Sequence, residues 1–250
     1  MTYCLAIAVD EGLVFASDSR THAGVDQVST YSKMFAYARP GERNLVVLSA
    51  GNLATTQAVV RRLNRDWQSG AEPSLATAAT LEDAAEYLGE VSVELQRRTV
   101  EQSGQQTGLA VEATFLIGGQ IQGQAPGIYM VYPQGNFITA SPLHPFLQIG
   151  ETKYGKPILD RIVSERLELD RAATCALISI DSTMRSNLSV GPPVELLTYR
   201  RDSLEPGHYR AFQPDDPYFA GLREAWRDGL QQLFDQLPAP PLDPADSTTC

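Results

Sequence analysis

The 250-residue sequence is poor in cysteine: Cys4, Cys175 and Cys250 are odd in number and far apart, so they make neither a disulfide framework nor a zinc site. Its three histidines, His22, His144 and His208, lack metal-ligand spacing, and no metal or other cofactor is expected. Basic residues are the minority charge, 20 Lys and Arg against 30 Asp and Glu, which leaves no basic face for nucleic acid or an anionic membrane surface. No apolar run approaches the roughly 18 residues of a membrane helix. The first twenty residues lack the basic start of a secretory signal, and Asp10 and Glu11 interrupt their apolar run. These absences point to a cytoplasmic protein with reduced thiols, and 43% hydrophobic residues are enough for one large core.

What is present begins at once. Residues 3–9, YCLAIAV, are apolar on both alternating sets and predict an interior strand directly after Met1 and Thr2. Asp10-Glu11-Gly12 is a turn signal, and LVFAS predicts the second arm of a hairpin. A polar loop, THAGVDQVST, leads to a strand near 31–38, the turn RPGER and a fourth strand, NLVVLSA. Helices follow after Gly51-Asn52, with Val59, Leu63 and Trp67 on one face, and from Thr80, where Thr80 and Asp83 form a capping box. Strands return as ATFLIGG, GIYMVYP, NFITA and FLQI, then helices at PILDRIV and DRAATCALISIDSTMR, then a late strand VELLTYRR.

Strands, two helices, strands, two helices, strand: this order does not match alternating βαβ units. It predicts an α+β fold, a four-layer αββα sandwich of two antiparallel sheets flanked by helices. Asp216 and Pro217 start a last amphipathic helix with Phe219, Leu222, Trp226, Leu230 and Leu233 on one stripe. One domain is expected over 1–237, including this helix over 216–237, with a Pro-rich disordered tail over 238–250.

The first hairpin carries the chemistry. A three-residue loop would pair Val9 with Leu13, set Cys4 opposite Asp18 and put Thr2 diagonally from Asp18 on one face; a two-residue loop would put Asp18 on the other face, so the expected chemistry depends on the longer turn. Removing Met1, which a small second residue permits, would leave Thr2 with a free α-amine of pKa roughly 7.7 to 8. That amine can take the proton of its own hydroxyl, so one residue supplies nucleophile and base. Lys33 is the candidate cation to hold the amine neutral, and Asp18 would orient that ammonium. Residues 31, 33 and 35 alternate onto one face, so Tyr31 and Phe35 could wall a pocket beside Lys33. Gly51, where the fourth strand meets a helix N-terminus, is placed to donate its N–H to an oxyanion. Taken singly, Asp18 and Lys33 read as solvated strand-end charges; the joint pattern is what carries weight.

On MTYCLAIAV, ASDSRT, YSKMF and VLSAGN, the chain resembles the proteasome β-subunit family of N-terminal nucleophile hydrolases. The likeness is greatest to its bacterial Anbu branch, beside the HslV peptidases. The resemblance implies a threonine peptidase that needs no cofactor, forms an acyl-enzyme on Thr2 and uses Asp18, Lys33 and Gly51 as above. It also implies an extended peptide or unfolded protein as substrate, bound by the backbone around Thr21, His22 and Leu53, and assembly into homo-oligomeric rings or open rings. Whether an ATPase feeds it stays open. Ser186 and Ser189 occupy the place of a supporting polar group, where the family commonly has Asp in the first position; that departure keeps alive an alternative, a catalytically weak or silent ring-forming scaffold. GETKYGKP at 150–157 has P-loop spacing, but Pro157 offers neither the Mg²⁺-binding hydroxyl nor an N–H for phosphate.

Overall fold

A computed structural model of the chain describes residues 1–22, 28–102 and 110–240. The His22 side chain, the loop 23–27 and most of the expected tail (241–250, with Cys250) lie outside the described residues.

One five-stranded sheet has the order β10-β1-β2-β11-β12, built from β1 (Tyr3–Val9), β2 (Gly12–Asp18), β10 (Phe146–Gly150), β11 (Val194–Arg200) and β12 (His208–Phe212). The second has the order β5-β6-β7-β8-β9, from β5 (Met34–Arg39), β6 (Arg43–Gly51), β7 (Ala113–Ile121), β8 (Gly127–Val131) and β9 (Phe137–Thr139). Every pairing is antiparallel. A two-stranded ribbon, β3 (Arg20–His22) with β4 (Val28–Thr30), stands outside both sheets. Helices α1 (Leu53–Ser69) and α2 (Leu81–Gln102) pack on the second sheet, and α3 (Thr152–Ile162) and α4 (Leu169–Ser186) on the first. This is the expected αββα sandwich.

Alternation explains the layers. Cys4, Ala6, Leu13 and Phe15 from the first sheet meet Val46, Leu48 and Leu116 from the second between the sheets. Val47, Phe115 and Ile117 point the other way, onto Val59 and Leu63 of α1 and Leu88 and Val91 of α2. Each large apolar side chain so buried contributes roughly 1.5–3 kcal/mol. The capping box forms as predicted: Thr80 N–H donates to Asp83 Oδ2 at 2.9 Å and Asp83 N–H to Thr80 Oγ at 3.0 Å.

Three expectations are corrected. The first hairpin has a two-residue loop, since Val9 pairs with Gly12 and Cys4 with Ser17. Gly12 is a strand residue: a β carbon there would sit 1.9 Å from the Tyr199 carbonyl oxygen, so glycine is required by the close approach of β11 rather than by a turn. Tyr31 to Lys33 precede β5 instead of belonging to it, and β12, unremarked in the sequence, adds an edge to the first sheet. The P-loop-like stretch runs from the end of β10 into α3, and its residues 152–157 form the first turn and a half of that helix. Its Gly155 lets that helix approach Ser179 Oγ and Tyr3 Oη, which a β carbon would meet at 2.3 and 2.4 Å.

The chain from Asp216 forms a second compact unit. Its helix α5 (Pro217–Asp235) begins as predicted, with Phe219 N–H donating to Asp216 Oδ1 at 3.0 Å. Phe219 is buried, whereas Leu230 and Leu233, later on the same stripe, are exposed. Among the described residues no helix is long and apolar enough to cross a membrane, and no group of three acidic, His or Cys side chains could hold a metal.

Candidate active site

Thr2 is fixed through its backbone neighbours. Its carbonyl accepts the Glu151 N–H at 2.8 Å as β10 turns away, and Gly150, with φ 84°, permits that turn beneath it. A β carbon on Gly150 would lie 1.9 Å from the Thr2 oxygen. On the next residue, Tyr3 N–H donates to Asp18 Oδ1 at 3.0 Å, while the buried Tyr3 hydroxyl is hydrogen-bonded to Ser179 Oγ at 2.7 Å and accepts from Gln148. Met1 is 62% exposed.

Asp18 and Lys33 form a buried ion pair, with Lys33 Nζ 2.7 Å from Asp18 Oδ1 and also donating to the Arg20 carbonyl at 2.7 Å. Asp18 Oδ2 accepts the Gly191 N–H at 3.2 Å. Burial pushes the Asp18 carboxyl above the usual carboxylate range, opposed by the Lys33 ammonium and the Tyr3 and Gly191 amides. The observed hairpin register places Asp18 opposite Tyr3, in alternation with the face away from Thr2. The expected same-face diagonal is therefore replaced by a reach across the strand end: Lys33 spans from the cavity to Asp18.

Thr2, Lys33 and Gly51 line one cavity of about 320 Å³, together with Thr21, Tyr31, Phe35 and Leu53. Seven residues singled out from the sequence thus converge there. Gly51 has φ 115°, and a β carbon would come within 2.4 Å of the Glu112 carbonyl oxygen. Asn52 then caps α1, its Oδ1 accepting Thr55 N–H at 3.1 Å, so the positive end of a helix dipole adjoins Gly51. Sequence reasoning missed Ser32, Ser49 and a helical face formed by Thr56, Gln57, Val60 and Arg61. Those four follow Leu53 at helical spacing, a signal available once Leu53 is placed.

Asp18 lies behind the cavity, reaching it through Lys33. Ser186 and Ser189 are not in the lining: Ser186 is exposed at the end of α4, and Ser189 N–H donates to Asn187 Oδ1 at 2.9 Å. That segment instead meets Asp18 through the backbone of Gly191. A second cavity, of about 480 Å³, lies at the far end of β1 beside Asp10, Glu165 and Arg201, away from this ion pair.

Both free thiols are poor nucleophiles. Burial pushes Cys175 up to about 12 and raises Cys4 further, although Lys33 opposes the shift at Cys4. The cavity is lined by hydroxyl side chains, Thr2 among them, together with Lys33 and the strand-to-helix junction at Gly51.

Comparison with known proteins agrees with this geometry. The model of the proteasome subunit family matches residues 2–198. Among solved structures, the chain is similar to Anbu (ancestral beta-subunit) from Yersinia bercovieri at 46% identity and TM-score 0.89, covering 96% of this chain and 100% of that one. It is similar to the chain in the helical assembly of the Anbu complex from Pseudomonas aeruginosa at 46% identity and TM-score 0.91, covering 96% and 98%. The Anbu (Gly-1) mutant from Hyphomicrobium sp. strain MC1 matches at 42% identity and TM-score 0.88, covering 97% and 100%. No curated protein matches the chain.

Proposed function

The chain belongs to the proteasome subunit family and is of the Anbu type, and on that footing we propose that it is a threonine peptidase whose nucleophile is Thr2, exposed by removal of Met1. The observation that carries the reading is the single cavity that gathers Thr2, Lys33 and Gly51, with Asp18 paired to Lys33 behind it.

The chemistry runs as follows. The neutral α-amine of Thr2 takes the hydroxyl proton while Oγ attacks a peptide carbonyl. Lys33, held by Asp18, favours the amine in its neutral form and stabilises the developing alkoxide. The carbonyl oxygen, now negative, is met by the Gly51 N–H at the dipole end of α1. The new ammonium protonates the leaving amine as the C–N bond breaks, leaving an ester on Oγ. A water activated by the same amine then cleaves the ester and restores the hydroxyl. The substrate is an extended peptide or unfolded protein lying along β3 near Thr21, His22 and Leu53, with a side chain between Tyr31 and Phe35. Assembly into a homo-oligomer is part of the proposal, supported by the helical assembly of the Pseudomonas aeruginosa relative. We place its work in the cytoplasm.

Intact mass of the purified protein tests this directly, before and after treatment with an epoxyketone or β-lactone aimed at an N-terminal Thr. The expected result is loss of Met1 and one adduct, absent from Thr2→Ala. Retained Met1 with no adduct would overturn the reading and favour a silent scaffold. One observation favours that second reading: neither Ser186 nor Ser189 enters the cavity.

A further inference from the structure

Glu195 sits in β11 at 5% exposure, and nothing in the mechanism above uses it. Its carboxylate gathers four donors from three stretches of chain. Ser32 Oγ donates to Oε1 at 2.8 Å and lies 3.0 Å from Oε2, and Lys33 N–H donates to Oε2 at 3.3 Å. Ser17 Oγ, from the residue before Asp18, donates to Oε2 at 3.3 Å. Tyr209 Oη, from β12, donates to Oε1 at 2.8 Å. Ser19 Oγ is also near, at 3.4 Å, but its single proton goes to the Pro193 carbonyl at 2.7 Å. Burial first, then the bond to Glu195, pushes the Tyr209 phenol up to about 12, so it remains a donor at neutral pH.

We propose that Glu195 is a positioning residue of the Thr2 centre, tying the end of the strand that carries Asp18 to the segment that carries Lys33. This rests on the reading of Thr2 as nucleophile. Lys33 needs such support because β5 begins only at Met34. Its carbonyl is held by Ser49 N–H at 3.0 Å, while its own N–H goes to Glu195. At 3.3 Å this single bond is long, and the anchor rests on the shared carboxylate, which Ser32 Oγ and Tyr209 Oη hold at 2.8 Å. A lysine side chain carries substantial rotamer entropy, and fixing its backbone shortens the path that must be ordered. Displacing a catalytic group by about 1 Å can slow a reaction by ~100-fold, which is the effect expected if the anchor is cut.

Three proteins test it: wild type, Glu195→Ala and Glu195→Gln. Each is melted to establish folding, then titrated with the epoxyketone while adduct is followed by intact mass. Glu195→Ala is expected to lower the limiting rate of adduct formation by ~100-fold with little change in the half-saturating concentration. Glu195→Gln keeps an oxygen for Lys33 N–H, and the Ser32 and Tyr209 hydroxyls can turn to accept, so it should recover most of the rate. Hydrogen exchange of the peptide spanning Ser32 to Met34 should quicken in the Ala variant and return to the wild-type rate in the Gln variant. Wild-type protein that takes no adduct overturns the peptidase reading. Unchanged exchange, or unchanged limiting rate, in a folded Glu195→Ala overturns the positioning role.

Discussion

Replacing Lys33 by Ala leaves the Asp18 carboxyl buried, with only the Tyr3 amide at 3.0 Å and the Gly191 amide at 3.2 Å as donors. Removing one partner of a buried ion pair destabilises by roughly 3–5 kcal/mol. The two surviving amides put the expected loss at the lower end, about 3 kcal/mol. For a chain of this length each kcal/mol moves Tm by about 2–4 °C, so the variant should melt about 6–12 °C below wild type. The deficit should depend on pH. Burial already raises the Asp18 pKa against the pull of Lys33, and without Lys33 it rises further. A carboxyl whose folded pKa exceeds its unfolded value binds its proton more tightly when folded. Its stability is fully present below the unfolded pKa and is lost as pH rises through the folded one. Between the folded pKa values of wild type and variant, the variant therefore regains about 1.4 kcal/mol for each unit of acidification, so its deficit narrows in acid. Melts followed by circular dichroism from about pH 8 down to about pH 3.5, just below the unfolded Asp reference of roughly 3.9, check this. A gap that stays constant, or widens in acid, would refute the assignment of Asp18 and Lys33 as a buried charged pair. Adduct formation with the epoxyketone should fall by at least ~100-fold at neutral pH in the same variant, with assembly retained.

Gly51→Ala should lower stability by about 1–3 kcal/mol, because its φ of 115° and the nearby Glu112 oxygen both oppose a β carbon. It should also slow acylation by ~100-fold; a folded variant with wild-type rate would remove Gly51 from the oxyanion site. In native protein near neutral pH, Cys4 and Cys175 should resist a disulfide reagent and react only after urea is added, since burial holds both thiols protonated. Peptide mapping that finds either labelled rapidly before unfolding would contradict this.

The layered architecture was legible because each strand's two faces announce themselves: YCLAIAV is apolar on both sides, and β6 likewise. The site was legible in its residues but not in its register. Gly12 in Asp-Glu-Gly looks like turn chemistry, and sequence alone does not reveal that a neighbouring strand's carbonyl occupies the space of its missing side chain. The resulting slip moved Asp18 to the other face, yet Lys33 is long enough to reach it. Strand β12, HYRAF, is exposed over three of its five residues, so no apolar alternation marks it. Glu195 was invisible for a related reason. In Val-Glu-Leu-Leu-Thr-Tyr it occupies what looks like a solvent-facing position, and its five hydroxyl and amide neighbours come from three separate stretches of chain.

The clamp on both sides of Thr2 bears on maturation. Because the carbonyl is already docked on Glu151 and the following amide on Asp18, trimming the exposed methionine alters a single functional group while the surrounding lattice of bonds stays put. On the proposed reading, precursor and product would then share one shape and differ only in reactivity, so the exposure of the Thr2 amine would be a chemical rather than a conformational step.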